Sequence, residues 1–190
     1  MKVLVVGSVH GDEREGVRIV KQLRLHHRGG LAGVDLWTIT TVNPDGLAAG
    51  TRGNAHGVDL NRNFGHGFDP ALNGGYESGP HEFSEPESLA VRDLARRVDF
   101  DLAIWYHQPW GETLDPCNST GAVARRYARL SGLATKGGCD HDLPGSAIGW
   151  QHHRFGTAAF VAELPGGTLS DSRVRRHARA VATLARGLAR

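Results

Sequence analysis

The sequence predicts an α/β fold with a mixed, largely parallel central sheet flanked by helices, and three observations carry that expectation. Four short segments rich in Val, Ile, Leu and aromatic residues read as buried strands, and helical apolar periodicity separates several of them. Chemically capable side chains also fall at or just beyond the carboxyl end of each strand, where open α/β sheets bind their ligands.

Taken in order, residues 3–7 form the first apolar run, and His10 follows it. Residues 14–26 carry Val17, Val20 and Leu23 on one face, as an amphipathic helix does. The second strand is read at 34–42, followed by Asn43-Pro-Asp-Gly46 and a long Gly- and Asn-rich stretch, 43–83, without periodic pattern. Loops of that length inside a compact domain are usually functional. Residues 85–98 place Val91, Leu94 and Val98 behind a Ser84-Glu-Pro-Glu87 capping box. The third strand, 100–106, leads into His107, and a helix at 121–131 shows Val123, Tyr127 and Leu130. Residues 132–156 read as irregular, and the fourth strand, 158–164, carries Glu163 near its end. The final helix, 172–189, has Val174, Ala178, Val181, Ala185 and Leu188 in register, with Ser170 or Asp171 as its cap. Its arginine-rich outer face reads as solvated.

Composition narrows the function classes. At 190 residues with 39% hydrophobic content, the chain predicts one domain, 1–190, with a substantial core. The 22 Lys+Arg against 20 Asp+Glu form no single-sign block, so no nucleic-acid partner is expected. No apolar run reaches the eighteen or so residues of a membrane span, and residues 3–6 are too short for a signal-peptide core. A cytoplasmic location is therefore expected, and no membrane partner. Cys117 and Cys139 lie in no Cys-x-x-Cys pair, which argues against structural zinc or redox chemistry and leaves one bridge between them open.

His10 and Glu13 have metal-ligand spacing at a strand-to-helix junction, and alone they are weak evidence. A lone histidine such as His107 at a strand end is more often a satisfied rim residue than a ligand. On the same rim as His10 and Glu13, however, it completes a His2Glu donor set for one zinc ion, with a fourth position left for water. Glu163, an acid in an apolar strand, either pairs with an arginine or serves as general base with a raised pKa. Arg52, Asn61 and Arg62 lie in the long loop, where a guanidinium is either solvated or grips a carboxylate bidentately. Asp140 and Asp142 read as turn acids or as partners for a substrate ammonium group. His152 and His153 read as a solvated pair rather than further ligands.

His10-x-x-Glu13, Asn43-Pro-Asp-Gly46, Arg52, Gly57-Val-Asp-Leu-Asn-Arg-Asn-Phe64, His107 and Glu163 together resemble the zinc metallocarboxypeptidase family in order and spacing, across residues 3–165. The resemblance implies an α/β/α sandwich that binds zinc through His10, Glu13 and His107. It implies Glu163 as catalytic carboxylate, Arg52 as oxyanion stabiliser, and Asn61 and Arg62 as the grip on a substrate's terminal carboxylate. The expected substrate is then a small peptide with a free C-terminus, cut before its last residue. The segment Leu143-Pro-Gly-Ser-Ala-Ile-Gly-Trp150 most resembles family members that release diaminopimelate from cell-wall tripeptides. Two competing readings remain: an N-acyl amino-acid deacylase with a similar zinc site, and a non-catalytic zinc- or peptide-binding domain. The loop motifs favour the peptidase over the first, and an intact Glu163 argues against the second.

Overall fold

The computed structural model describes residues 1–114, 120–137 and 143–189; Cys117, Cys139, Asp140 and Asp142 lie outside them. The elements run β1 (Lys2–Val6), α1 (Glu15–His26), β2 (Asp35–Ile39), α2 (Pro44–Ala49), a 3₁₀ turn (Leu60–Arg62), α3 (Pro86–Val98) and β3 (Leu102–His107). They continue with β4 (Glu112–Leu114), α4 (Gly121–Ser131), β5 (Ala134–Lys136), α5 (Ala147–Phe155), β6 (Ala158–Glu163) and α6 (Asp171–Leu188). All four expected strands and all four expected helices are present, but β2, read as a buried strand, is an edge strand whose residues are exposed or half-buried. The sheet order is β2-β1-β3-β6-β4-β5. The pairs β2–β1, β1–β3 and β3–β6 are parallel, while β4 meets β6 antiparallel and β5 parallel, giving the mixed sheet expected.

The central strands read as unbroken apolar runs because both their faces are covered. Val3, Val5, Ile104 and Phe160 point into one core with Ile19, Leu23, Tyr127, Val181 and Leu184 from α1, α4 and α6. Leu4, Val6, Trp105 and Val161 point into the other, with Val91 from α3, Trp150 from α5, and Phe64 and Phe83 from the long loop. Each fully buried Leu or Phe contributes roughly 1.5–3 kcal/mol, so the two cores hold the sheet rigid beneath its rim. No described helix is long and apolar enough to cross a membrane.

Three details depart from the sequence reading. Ser84 and Glu87 form no capping box: Glu85 occupies the N-cap of α3 without a side-chain cap bond, and Ser84 Oγ donates to Glu85 Oε1 at 2.7 Å instead. Loop ties win that competition, because Glu85 also accepts from Asn54 Nδ2 at 2.7 Å. The described parts of 132–156 are not irregular throughout; they hold β5 and α5. Helix α5 starts at Ser146, whose hydroxyl accepts from Gly149 N, and ends at left-handed Gly156. Finally, α2 and the 3₁₀ turn break up the 43–83 stretch. At α6, Ser170 is the residue whose side chain caps the helix.

A buried polar chain crosses the α1/α4/α6 side. Tyr106 and Tyr127 hydroxyls are 2.8 Å apart, and Tyr127 Oη lies 2.7 Å from His177 Nδ1. Burial, reinforced by Arg176 and Arg173, lowers His177 to about 4 from 6.5. The unfolded chain therefore binds a proton that the folded one refuses between those values, so stability is full above pH 6.5 and falls as pH drops toward 4. Between pH 7 and 4 the wild type is expected to lose about 3 kcal/mol more than His177→Gln, as urea titrations at the two pH values will read. Equal losses would remove His177 as the cause.

Candidate metal centre and substrate cavity

The carboxyl ends of β1, β3 and β6 bring the expected residues to one rim. His10 and Glu13 sit in the turn between β1 and α1, closed by Glu13 N donating to His10 O at 3.3 Å. That turn packs directly on α2: a Cβ on Gly11 would lie 1.9 Å from the Gly46 carbonyl carbon, so only glycine fits. Asn43 starts α2, its Oδ1 accepting from Gly46 N at 2.8 Å, and its Nδ2 donates to Arg52 O at 3.1 Å. His107 ends β3 and lies opposite Glu163, the last residue of β6, in the parallel register.

Three side chains converge. His10 Nδ1 lies 2.8 Å from Glu13 Oε1, and His107 Nδ1 lies 3.0 Å from Glu13 Oε2. All three are buried, and among the described residues they are the group whose donor atoms lie close enough, within 4.8 Å of one another, to share a metal ion. Donors around one tetrahedral zinc stand about 3.3 Å apart, so the set fits the ion. Further support comes from His10 Nε2, which donates to Asp59 Oδ1 at 3.0 Å and thereby turns Nδ1 toward the centre. His152 and His153 are not part of this group; the His153 ring stacks on His66 at 3.6 Å between centroids.

The electrostatics are those of a compact charged cluster. Burial alone would lower His10, but its hydrogen bonds to Asp59 and Glu13 outweigh that and hold it above its usual value. Burial pushes Glu13 and Asp59 upward, yet the imidazoles facing them hold both well below the ordinary carboxylate range. His107 is lowered by burial. Glu163 goes the other way: burial, then the Glu13 carboxylate, push it up to about 7. It makes no arginine ion pair among the described residues, and its Oε2, like His107 Nε2, is buried without a hydrogen-bond partner.

Arg52 is held by Asp59, whose Oδ2 accepts from Nε at 3.0 Å and from an Nη at 2.8 Å, and its other Nη lies 3.5 Å from Glu13. Asn61 Oδ1 accepts from Ala147 N at 3.0 Å, which commits the amide's acceptor and leaves its donors for the cavity. Arg62 is buried and donates to Asn61 O at 2.8 Å; it has no carboxylate within ion-pair distance among the described residues. The backbone here is pinned by Gly145, at φ +63°, where a Cβ would lie 2.0 Å from Arg62 O. The seven residues given site roles from the sequence, His10, Glu13, Arg52, Asn61, Arg62, His107 and Glu163, line one cavity of about 580 Å³, whose wall also includes the apolar Leu114, Ile148 and Val161.

Sequence reasoning missed Asp59, Gln108, Tyr76 and α5. Asp59 sits inside a motif already singled out, and asking where the second nitrogen of His10 donates would have found it. Gln108 braces the centre, its N–H donating to Glu13 Oε2 at 3.2 Å while its side chain bonds Glu15 N. Because Asp59 orients both His10 and Arg52, Asp59→Ala is expected to weaken zinc affinity roughly 10–100-fold, read by competition with a chromophoric chelator. Unchanged affinity would leave Asp59 only its role on Arg52.

Comparison with known proteins matches residues 2–142 to the zinc carboxypeptidase family model. That span holds six of the seven residues, and Glu163 lies beyond it. Murein peptide amidase A of Escherichia coli K12 is 29% identical over 175 residues, covering 77% of this chain; the chain spans 64% of the amidase's length. The crystal structure of the murein-tripeptide amidase from Escherichia coli O157 superposes with a TM-score of 0.73 at 27% identity, over 97% of this chain and 81% of that one. Bovine thrombin-activatable fibrinolysis inhibitor, at 20% identity, shares the fold with a TM-score of 0.81 over 98% of this chain and 82% of that one. The expected carboxypeptidase-like sandwich is therefore the fold observed, and with a family model matched over most of its length the chain belongs to the zinc carboxypeptidase family.

Proposed function

We propose that this chain is a single catalytic domain that hydrolyses the amide bond before a C-terminal residue of a small peptide. The observation that carries the reading is Glu163, an acid pushed to about 7 and set beside His107 at the edge of a His2Glu donor set. His10, Glu13 and His107 would hold zinc, which would supply Lewis-acid polarisation of a carbonyl and a more acidic water. Glu163 takes the proton of the attacking water and returns it to the leaving nitrogen, a task suited to a carboxylate near neutrality. Arg52, held in place by Asp59, donates to the oxygen on which negative charge develops. Asn61 and Arg62 grip the terminal carboxylate; the one is left with free donors and the other is a buried cation in need of an anion.

For the substrate, similarity to murein peptide amidase A favours the γ-D-glutamyl to meso-diaminopimelate bond of a cell-wall tripeptide. The test is to incubate zinc-loaded protein with that tripeptide and ordinary α-linked peptides together, reading products by mass. Release of diaminopimelate alone supports the amidase, and release of ordinary C-terminal residues alone leaves a general carboxypeptidase. Hydrolysis of acyl-amino acids with no peptide cut overturns the peptidase reading in favour of a deacylase.

A further inference from the structure

Tyr76 lies in the long loop on the wall of the same cavity and, among the described residues, makes no hydrogen bond to His10, Glu13, His107 or Glu163. Its position is set by its neighbours. The turn before it, Gly74 and Gly75 at φ +70° and +93°, delivers the chain to two anchors. Glu77 O accepts from Asp59 N at 2.8 Å, and Ser78 O accepts from Asn63 Nδ2 at 2.6 Å. Tyr76 is thereby tied to the short segment that also carries Asn61 and Arg62. Its ring stays 48% exposed, so it contributes little to either core.

Both cavity guanidiniums rest on that ring: Arg52 Cζ is 5.1 Å and Arg62 Cζ 5.5 Å from its centroid. Two cations brought to one small cavity repel each other, and Arg62 has no carboxylate partner among the described residues to hold it there. A ring face attracts cations at such distances through its quadrupole. Beside the bond from Arg62 Nη1 to Asn61 O at 2.8 Å, it thus holds Arg62 toward the cavity without consuming a further donor, as a protein carboxylate would.

We propose that Tyr76 is a positioning residue for the carboxylate grip: its ring holds Arg62 and Arg52 convergent on the cavity and so sets the preference for a free terminal carboxylate. The inference rests on the proposed role of Arg62, and the phenyl face does the work, the hydroxyl being dispensable.

The experiment measures binding of an N-acetyl amino acid and of its carboxamide to zinc-loaded wild type, Tyr76→Phe and Tyr76→Leu by calorimetry, alongside kcat and KM on a cleaved peptide. Tyr76→Leu is expected to weaken carboxylate binding about tenfold and to raise KM in parallel, with carboxamide binding unchanged. Tyr76→Phe is expected to restore both to within about twofold of wild type. Equal weakening of carboxylate and carboxamide overturns the proposal, since the ring would then merely line the cavity. So does an unchanged Tyr76→Leu, or a wild type that does not prefer the carboxylate. A wild type that shows the preference and its dependence on Tyr76 but cuts no peptide sustains this proposal and instead sinks the hydrolase reading. Melting temperatures of the variants, expected to match wild type, separate positioning from misfolding.

Discussion

Replacing Glu163 with glutamine is expected to lower kcat by about 10²–10⁴-fold while the protein keeps its zinc. Glutamine fills the same space at the end of β6. What it cannot do is accept and return a proton. Burial and the nearby Glu13 charge place the wild-type carboxyl at about 7, where both its states are accessible at neutral pH. Metal content measured by atomic absorption should stay at one zinc per chain, since His10, Glu13 and His107 are untouched. A variant that turns over substrate at more than about a tenth of the wild-type rate would assign the proton transfer elsewhere, and one that loses zinc would make Glu163 a support of the centre.

Chelation is expected to abolish turnover while leaving the protein folded. The two cores are built by residues such as Phe160, Tyr127, Trp105 and Phe64, none of which is a metal donor, and they close over the sheet from opposite sides. A ligand present at a thousand times its Kd stabilises by about 4 kcal/mol. At this chain length such an increment corresponds to a fall in Tm on the order of 10 °C when the ion is withdrawn. Circular dichroism with and without chelator, followed by zinc restoration of activity, checks both halves. Unfolding at room temperature would mean that the centre carries the fold, and activity that survives chelation would remove zinc from the chemistry.

The parts of the fold legible in the sequence are those whose environment is uniform. β1, β3 and β6 are covered on both faces, so their composition alone marks them, and α1, α3, α4 and α6 each present one apolar stripe. α5 was hidden because Gly149 and the His152-His153 pair interrupt its period; its bracket, a Ser146 cap and a terminal Gly156, was the available signal. β4 and β5 are three residues each, too short to show alternation. The capping box failed because Glu85 is claimed by Asn54 and His56, neighbours far off in sequence. In the site, the residues found were those with characteristic spacing or an incongruous charge: His10 and Glu13 three apart, Glu163 in an apolar strand. Asp59, Gln108 and Tyr76 act through distances set by folding, which no local pattern records.

The register that sets His107 opposite Glu163 on neighbouring strands has an evolutionary consequence. Two side chains fixed to adjacent rungs of a buried sheet cannot drift apart without breaking the ladder that stabilises the whole chain. Part of the cavity wall, by contrast, comes from exposed positions, Asn73 in the 43–83 stretch and Leu143 and Pro144 before α5, where the chain can be resurfaced at small thermodynamic cost. The buried rim and the exposed part of the wall are thus inherited on separate segments, so one can be remodelled while the other is kept.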